Sequence, residues 1–80
     1  MVNIEIVYCA VWHYTDRAVG LATELLKEFE YDIENLTLVP SDGGKFEVNV
    51  GEKLVYSKLE TRRHAEPGEV LGLVRKVIGG

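Results

Sequence analysis

A nearly continuous apolar run, Ile4-Glu5-Ile6-Val7-Tyr8-Cys9-Ala10-Val11, opens the chain, and a helical pattern begins only a few residues later. Residues 2–9 are rich in β-branched and aromatic types, which is strand composition. The unbroken stretch from Ile6 predicts a strand covered on both faces. Asn3 and Glu5 mark its wetter side. Residues 10–14 then form a loop, with Thr15 as the expected N-cap and Asp16 adding negative charge to the first helical turn. Ala18, Leu21, Ala22, Leu25, Leu26 and Phe29 fall on one helical stripe, and Arg17, Glu24, Lys27 and Glu28 on the other side. Gly20 lies inside this helix and costs it roughly 1 kcal/mol relative to Ala.

The next strand-type segment is residues 33–39, with Ile33, Leu36, Leu38 and Val39. Pro40-Ser41-Asp42-Gly43-Gly44 reads as a breaker cluster. Phe46-Glu47-Val48-Asn49-Val50 alternates strictly, and Gly51-Glu52 suits a two-residue turn with Gly first. Lys53 to Lys58 is the returning partner, with Leu54 and Tyr56 on one face, so residues 45–58 are a predicted β-hairpin. Residues 59–66 form a polar connection. Pro67 at a first helical position opens the last helix. Val70, Leu71, Leu73, Val74, Val77 and Ile78 give its apolar face, and Arg75 and Lys76 sit in its last turn. The order is strand, helix, strand, strand, strand, helix. A helix between the first two strands makes them parallel with a right-handed crossover, and the hairpin adds two antiparallel strands.

Eighty residues suit one small domain, 1–80. The 46% apolar content is that of a globular chain. A net charge of −4 argues against nucleic acid as the partner, because phosphate binding needs clustered Lys and Arg. The short basic run Arg62-Arg63-His64, flanked by Glu60 and Glu66, reads as a solvated loop. A single cysteine excludes an internal disulfide framework and a Cys-rich zinc site, and it fits a reducing compartment. No signal pattern and no apolar run of spanning length is present, so a cytoplasmic protein with no membrane partner is expected.

Cys9 is the candidate functional residue. It ends the first strand, facing the positive end of the coming helix, where a thiolate is favoured and the thiol becomes a nucleophile. The alternative is a packed, inert cysteine.

The chain resembles the selenoprotein W-like (Rdx) group of the thioredoxin-like superfamily over nearly its whole length. The residues that carry the likeness are Val7-Tyr8-Cys9 before a helix, Gly44-Lys45-Phe46-Glu47-Val48, Leu54-Val55-Tyr56-Ser57-Lys58-Leu59-Glu60-Thr61 and Glu66-Pro67-Gly68-Glu69-Val70. The resemblance implies an α/β, thioredoxin-like β-α-β-β-β-α fold, with two helices covering a four-stranded mixed sheet. It also implies a thiol–disulfide role. No cofactor is required; glutathione or protein thiols and disulfides would be the partners. The family motif is Cys-x-x-Cys or Cys-x-x-selenocysteine. Cys9 matches its first position, but Trp12 stands at the second, and tryptophan cannot attack a mixed disulfide. The tryptophan codon lies one base from the selenocysteine codon, so Trp12 also fits a replacement at that position. The expected activity is therefore monothiol chemistry at Cys9. The alternative is a non-catalytic binding module on the same scaffold.

Around Cys9, Trp12 is either an aromatic lip that shields the thiol and stacks a substrate, or a packing residue. Gly43 and Gly44 read first as a turn. In a thioredoxin-like fold they would bring backbone near the thiol, where a peptide could pair. His13 and His64 read as surface loop residues, and Tyr8 and Tyr14 as packing. Gly79-Gly80 resembles the end of ubiquitin-like carriers, but those begin with a hairpin, and glycine commonly terminates helices.

Overall fold

The computed structural model describes residues 1–79; Gly80 of the terminal glycine pair lies outside them. The chain folds into β1 (Val2–Cys9), α1 (Thr15–Phe29), a 3-10 turn (Glu30–Asp32), β2 (Ile33–Ser41), β3 (Phe46–Val50), β4 (Lys53–Ser57), the single-turn helix α2 (Lys58–Thr61) and α3 (Glu69–Ile78). The strands form one sheet in the order β2-β1-β3-β4. β1 runs parallel to β2 and antiparallel to β3, and β3 is antiparallel to β4. This is the expected thioredoxin-like arrangement.

Alternation along β1 decides which face is covered. Ile4, Ile6 and Tyr8 are buried, and register sets Val48 and Val50 of β3 beside them. They share one core with Ala18, Ala22, Leu25 and Phe29 of α1 and Val70 and Val74 of α3. Both helices therefore lie on the same face. Asn3 and Glu5 point the other way and are exposed, so β1 is not covered on both faces as its composition suggested. The uncovered face is knit by polar pairs: Asn35 donates to Asn3 Oδ1 at 3.0 Å and Asn49 to Glu5 Oε1 at 3.5 Å.

Several local expectations are corrected. The first residue of α1 is Thr15 rather than its cap; Tyr14 holds the cap position, and no side chain caps this end. Leu26 lies on the edge of the predicted stripe and stays exposed. β2 runs on through Pro40 and Ser41. It is an edge strand, so the missing N–H of Pro40 leaves no ladder bond unmade. Val48 pairs with Tyr56 while Asn49 pairs with Leu54, so Val55 is an extra residue in β4. This bulge breaks the alternation, leaving Leu54 exposed and Tyr56 buried.

Between β4 and α3 the predicted plain connection starts with α2, whose first N–H groups are capped by Ser57 Oγ accepting from Glu60 N–H at 3.3 Å. Pro67 does not open the last helix. Glu69 N–H donates to Glu66 C=O at 3.0 Å, and Gly68 has φ 79° and ψ −7°. Pro67-Gly68 is thus the centre of a type II turn, which demands a positive φ at its third residue. Glu69, first in α3, accepts from both Arg63 terminal nitrogens, at 2.7 and 2.8 Å, and from Glu66 N–H at 2.9 Å. The guanidinium of Arg63 and these hydrogen bonds hold the Glu69 carboxyl down at about 2.

Two glycines should respond in opposite directions. A Cβ on Gly20 would meet nothing within 4 Å, so Gly20→Ala should raise stability by about 0.5–1 kcal/mol in urea unfolding. Gly68→Ala, also without a steric neighbour, must hold a left-handed residue and should lose about 1 kcal/mol. Because folding lowers the Glu69 pKa, its contribution is complete above the ordinary carboxylate value. It should be lost as pH falls from about 4.5 toward 2, read as an acid-unfolding limb that Glu69→Gln flattens.

Candidate functional site

Cys9 ends β1 with its backbone pinned on both sides. Its N–H donates to Lys45 C=O at 2.8 Å, and the next N–H, that of Ala10, donates to Ser41 C=O at 3.0 Å. The loop then doubles back. His13 N–H donates to Ala10 C=O at 3.0 Å and Tyr14 N–H to Cys9 C=O at 3.1 Å, with His13 in the left-handed region at φ 61°. This tight return points Trp12 N–H at the sulfur, to which it donates at 3.3 Å. The partner of Cys9 Sγ is therefore a loop amide rather than a helical one. Cys9 itself is fully buried, as in the packed alternative weighed from the sequence, and the thiol is covered in this conformation.

Trp12 is 57% exposed, yet its indole rests on the loop before β3. A Cβ built on Gly44 would lie 2.5 Å from the Trp12 ring, and Gly44 has φ 73°. Only glycine lets the ring lie this close to the backbone. Gly43, at φ 70°, makes the turn but has open space beside it. The structure thus brings Cys9, Trp12 and Gly44 together and gives Gly43 a conformational part only.

The two histidines part company. His13 is exposed. His64 is not a plain surface residue: its ring meets Tyr14 edge-on at 4.7 Å and Phe46 at 6.5 Å. Tyr14 in turn meets Trp12 at 6.2 Å, and Lys58 Nζ stands 5.7 Å from the Tyr14 ring centre. An aromatic row therefore runs from the loop over Cys9 to the 63–68 segment. Burial, with help from nearby Arg17 and Lys58, lowers the His64 pKa from its ordinary value. Beyond His64 lies a groove of about 390 Å³ between α1 and that segment, floored by Leu21 and Val70 and left open at Gly20. His64 escaped the sequence reading because its partners are distant in the chain and its neighbours are charged. Among the described residues no group of three or more His, Cys, Asp or Glu could hold a metal, and no helix is long and apolar enough to cross a membrane.

Comparison with known proteins places this geometry. The model of the Rdx family matches residues 3–76. The chain is similar to the crystal structure of a selenoprotein W-related protein from Vibrio cholerae, with a TM-score of 0.90, 30% identity and 96% of each chain covered. It is also similar to a protein from Bordetella parapertussis, with a TM-score of 0.88, 28% identity, and 94% of this chain and 95% of that one covered. No curated protein sequence matches it.

The contact between ring and glycine is testable by fluorescence, since Trp12 is the only tryptophan. Gly44→Ala should push the indole off the loop. Its emission should shift to the red and become more accessible to iodide, while far-ultraviolet circular dichroism stays unchanged.

Proposed function

We propose, since the chain belongs to the Rdx family, that it is a thiol redox protein in which Cys9 works alone. Family membership and a thioredoxin-like fold carry a redox-related role; the specific chemistry at Cys9 is our reading. The Cys9 thiolate attacks one sulfur of a disulfide, such as oxidised glutathione or a protein disulfide. A new S–S bond forms to Cys9, and the other sulfur leaves as a thiolate with the electron pair of the broken bond. An external thiol then releases the adduct by the same exchange, because Trp12 offers no second sulfur. The observation that supports this most directly is the Trp12 N–H aimed at Sγ from 3.3 Å. A hydrogen bond of that kind strengthens when its acceptor is charged.

Exchange requires the sulfur to be reached, and Cys9 is buried. In this reading the 10–14 loop opens, and the Trp12 indole lifts from Gly44 to expose the thiol. Burial also favours the second reading, a binding module that keeps the scaffold and has left the thiol inert. Under either reading the working surface is the one around Trp12 and Gly44, where loop backbone lies beside the thiol.

Mass spectrometry after treatment with oxidised glutathione separates the two. A single adduct on Cys9, reversed by dithiothreitol and absent in Cys9→Ser, is expected; a native protein that stays unmodified leaves the binding module. Trp12→Ala should speed adduct formation by about tenfold, the factor for easing a local opening by about 1.4 kcal/mol. Trp12→Cys should create a dithiol pair and give disulfide reductase turnover that the Trp12 chain lacks.

A further inference from the structure

His64 is the member of the aromatic row that changes its charge near neutral pH, and two places that suit different charges lie on either side of it. We propose that the His64 side chain is a proton-operated latch on the 10–14 loop. Neutral, it sits between Tyr14 and Phe46 and holds the row closed over Cys9. Protonated, it swings into the groove beside α1 and lets Trp12 lift from Gly44. The latch rests on the loop opening proposed above for access to Cys9, but not on disulfide exchange at the sulfur.

The neutral seat has one fixed wall and one movable wall. Phe46, 6.5 Å from the His64 ring, is buried and pairs with Tyr8 across the sheet. Tyr14, 4.7 Å away, is only half-buried, and it belongs to the loop. Its N–H donates to Cys9 C=O at 3.1 Å, and its ring meets Trp12 at 6.2 Å. A departing imidazole is therefore felt at Tyr14, and through it at the indole. The backbone of His64 stays where it is. Arg63 Nη1 donates to His64 C=O at 3.1 Å, Tyr56 hydroxyl donates to Arg63 C=O, and Glu69 holds the Arg63 guanidinium. The movement is thus the rotation of one side chain.

Charge sorts the two places. Lys58 of α2 stands 5.7 Å from the Tyr14 ring centre, and Arg17 of α1 is near the imidazole as well. An imidazolium in the neutral seat would be a third cation there, and Lys58 already occupies the Tyr14 ring that would otherwise stabilise it. From β3 the ring meets only the uncharged Phe46. Burial opposes the charge too, so the seated ring takes up a proton only below its ordinary value of 6.5. The groove is different. Asp16 and Glu24 of α1 and Glu66 line it, three carboxylates against the Arg17 guanidinium, and α3 adds only the uncharged Val70 and Leu71. Arg63 and Glu69 neutralise each other. About 390 Å³ is open there, and Gly20 has no side chain to fill it. The contribution of the neutral seat to closure is therefore complete above 6.5 and is lost as pH falls below it.

Trp12, the only tryptophan, reports the latch without any chemistry at Cys9. From about pH 7.5 to about 5 its emission should shift to the red and its quenching by neutral acrylamide should rise, with a midpoint below 6.5. His13→Gln should keep this transition. His64→Phe, which leaves a neutral ring in the seat, should abolish it. Gly20→Leu, which fills the groove, should move the midpoint lower. Alkylation of Cys9 by iodoacetamide, taken relative to His64→Phe at the same pH to cancel the thiolate fraction, should rise about threefold over this range. Proton NMR of the unaltered chain needs no variant: the His64 ring and the Trp12 indole N–H should titrate together. An emission that stays flat, a transition that persists in His64→Phe or that Gly20→Leu leaves in place, or an indole signal that ignores the His64 titration overturns the proposal.

Discussion

The end of β1 is clamped from both sides, and the rest of the site depends on that clamp. Lys45 and Ser41 belong to the segments that flank β1 in the sheet, and their carbonyls take the N–H groups of Cys9 and Ala10. The chain therefore leaves the sheet at a fixed point and in a fixed direction. Only four residues separate Ala10 from Thr15, and within them His13 and Tyr14 bond back to Ala10 and Cys9. The amide of Trp12 is left facing the sulfur as a result. His13 takes a left-handed conformation, which a non-glycine residue adopts at some cost. Burial holds the clamp shut: Ile4, Ile6, Leu25 and Val48 are almost wholly removed from water, each at about 1.5–3 kcal/mol.

Most of this architecture was legible because pattern and packing agree. The strand composition of residues 2–9, the stripe on α1 and the alternation of residues 46–50 each meet the same core. Errors came where one local rule met a tertiary condition. Pro40 reads as a breaker, and it would be one in a central strand; at a sheet edge it is tolerated. Pro67 reads as a helix opener, but Gly68 after it makes a type II turn the better solution. The bulge at Val55 has no sequence mark, since it arises from reconciling Gly51-Glu52 with the burial of Tyr56. The apolar run of β1 suggested two covered faces. In fact Val7 belongs to the open face and is only half-buried, and Cys9 beyond it is covered by the loop rather than by a helix.

The site was legible in its members more than in their arrangement. Cys9, Trp12 and Gly44 stand out by type and position. That Trp12 lies on Gly44 could not be read, because the contact joins the first loop to the loop before β3. The same holds for His64, which nothing nearby in the chain distinguishes. Its setting is built by Arg63 and Glu69: their ion pair and the Pro67-Gly68 turn fold the segment back, and Tyr56 hydroxyl donates to Arg63 C=O to tie it to the core. A polar stretch with no apparent pattern thus becomes one wall of the groove beside α1.

Trp12, at the position where the resemblance implies a second sulfur, changes the demands on the first in the proposed reading. In a two-sulfur motif the resolving thiol must reach the mixed disulfide, so the loop has to leave room for it. Here that room is filled by an indole seated on a glycine backbone, and the sulfur below is sealed. A sealed thiol resists oxidation by small oxidants, because the attacking species must first gain access. In the monothiol reading proposed above, it becomes reactive only to a partner that gains more by docking than the loop loses by opening. The loss is modest, since Trp12 keeps over half of its surface in water while closed. In that reading the tryptophan that denies Cys9 a resolving sulfur also adds a selection step, with the scaffold and the position of Cys9 left as they are.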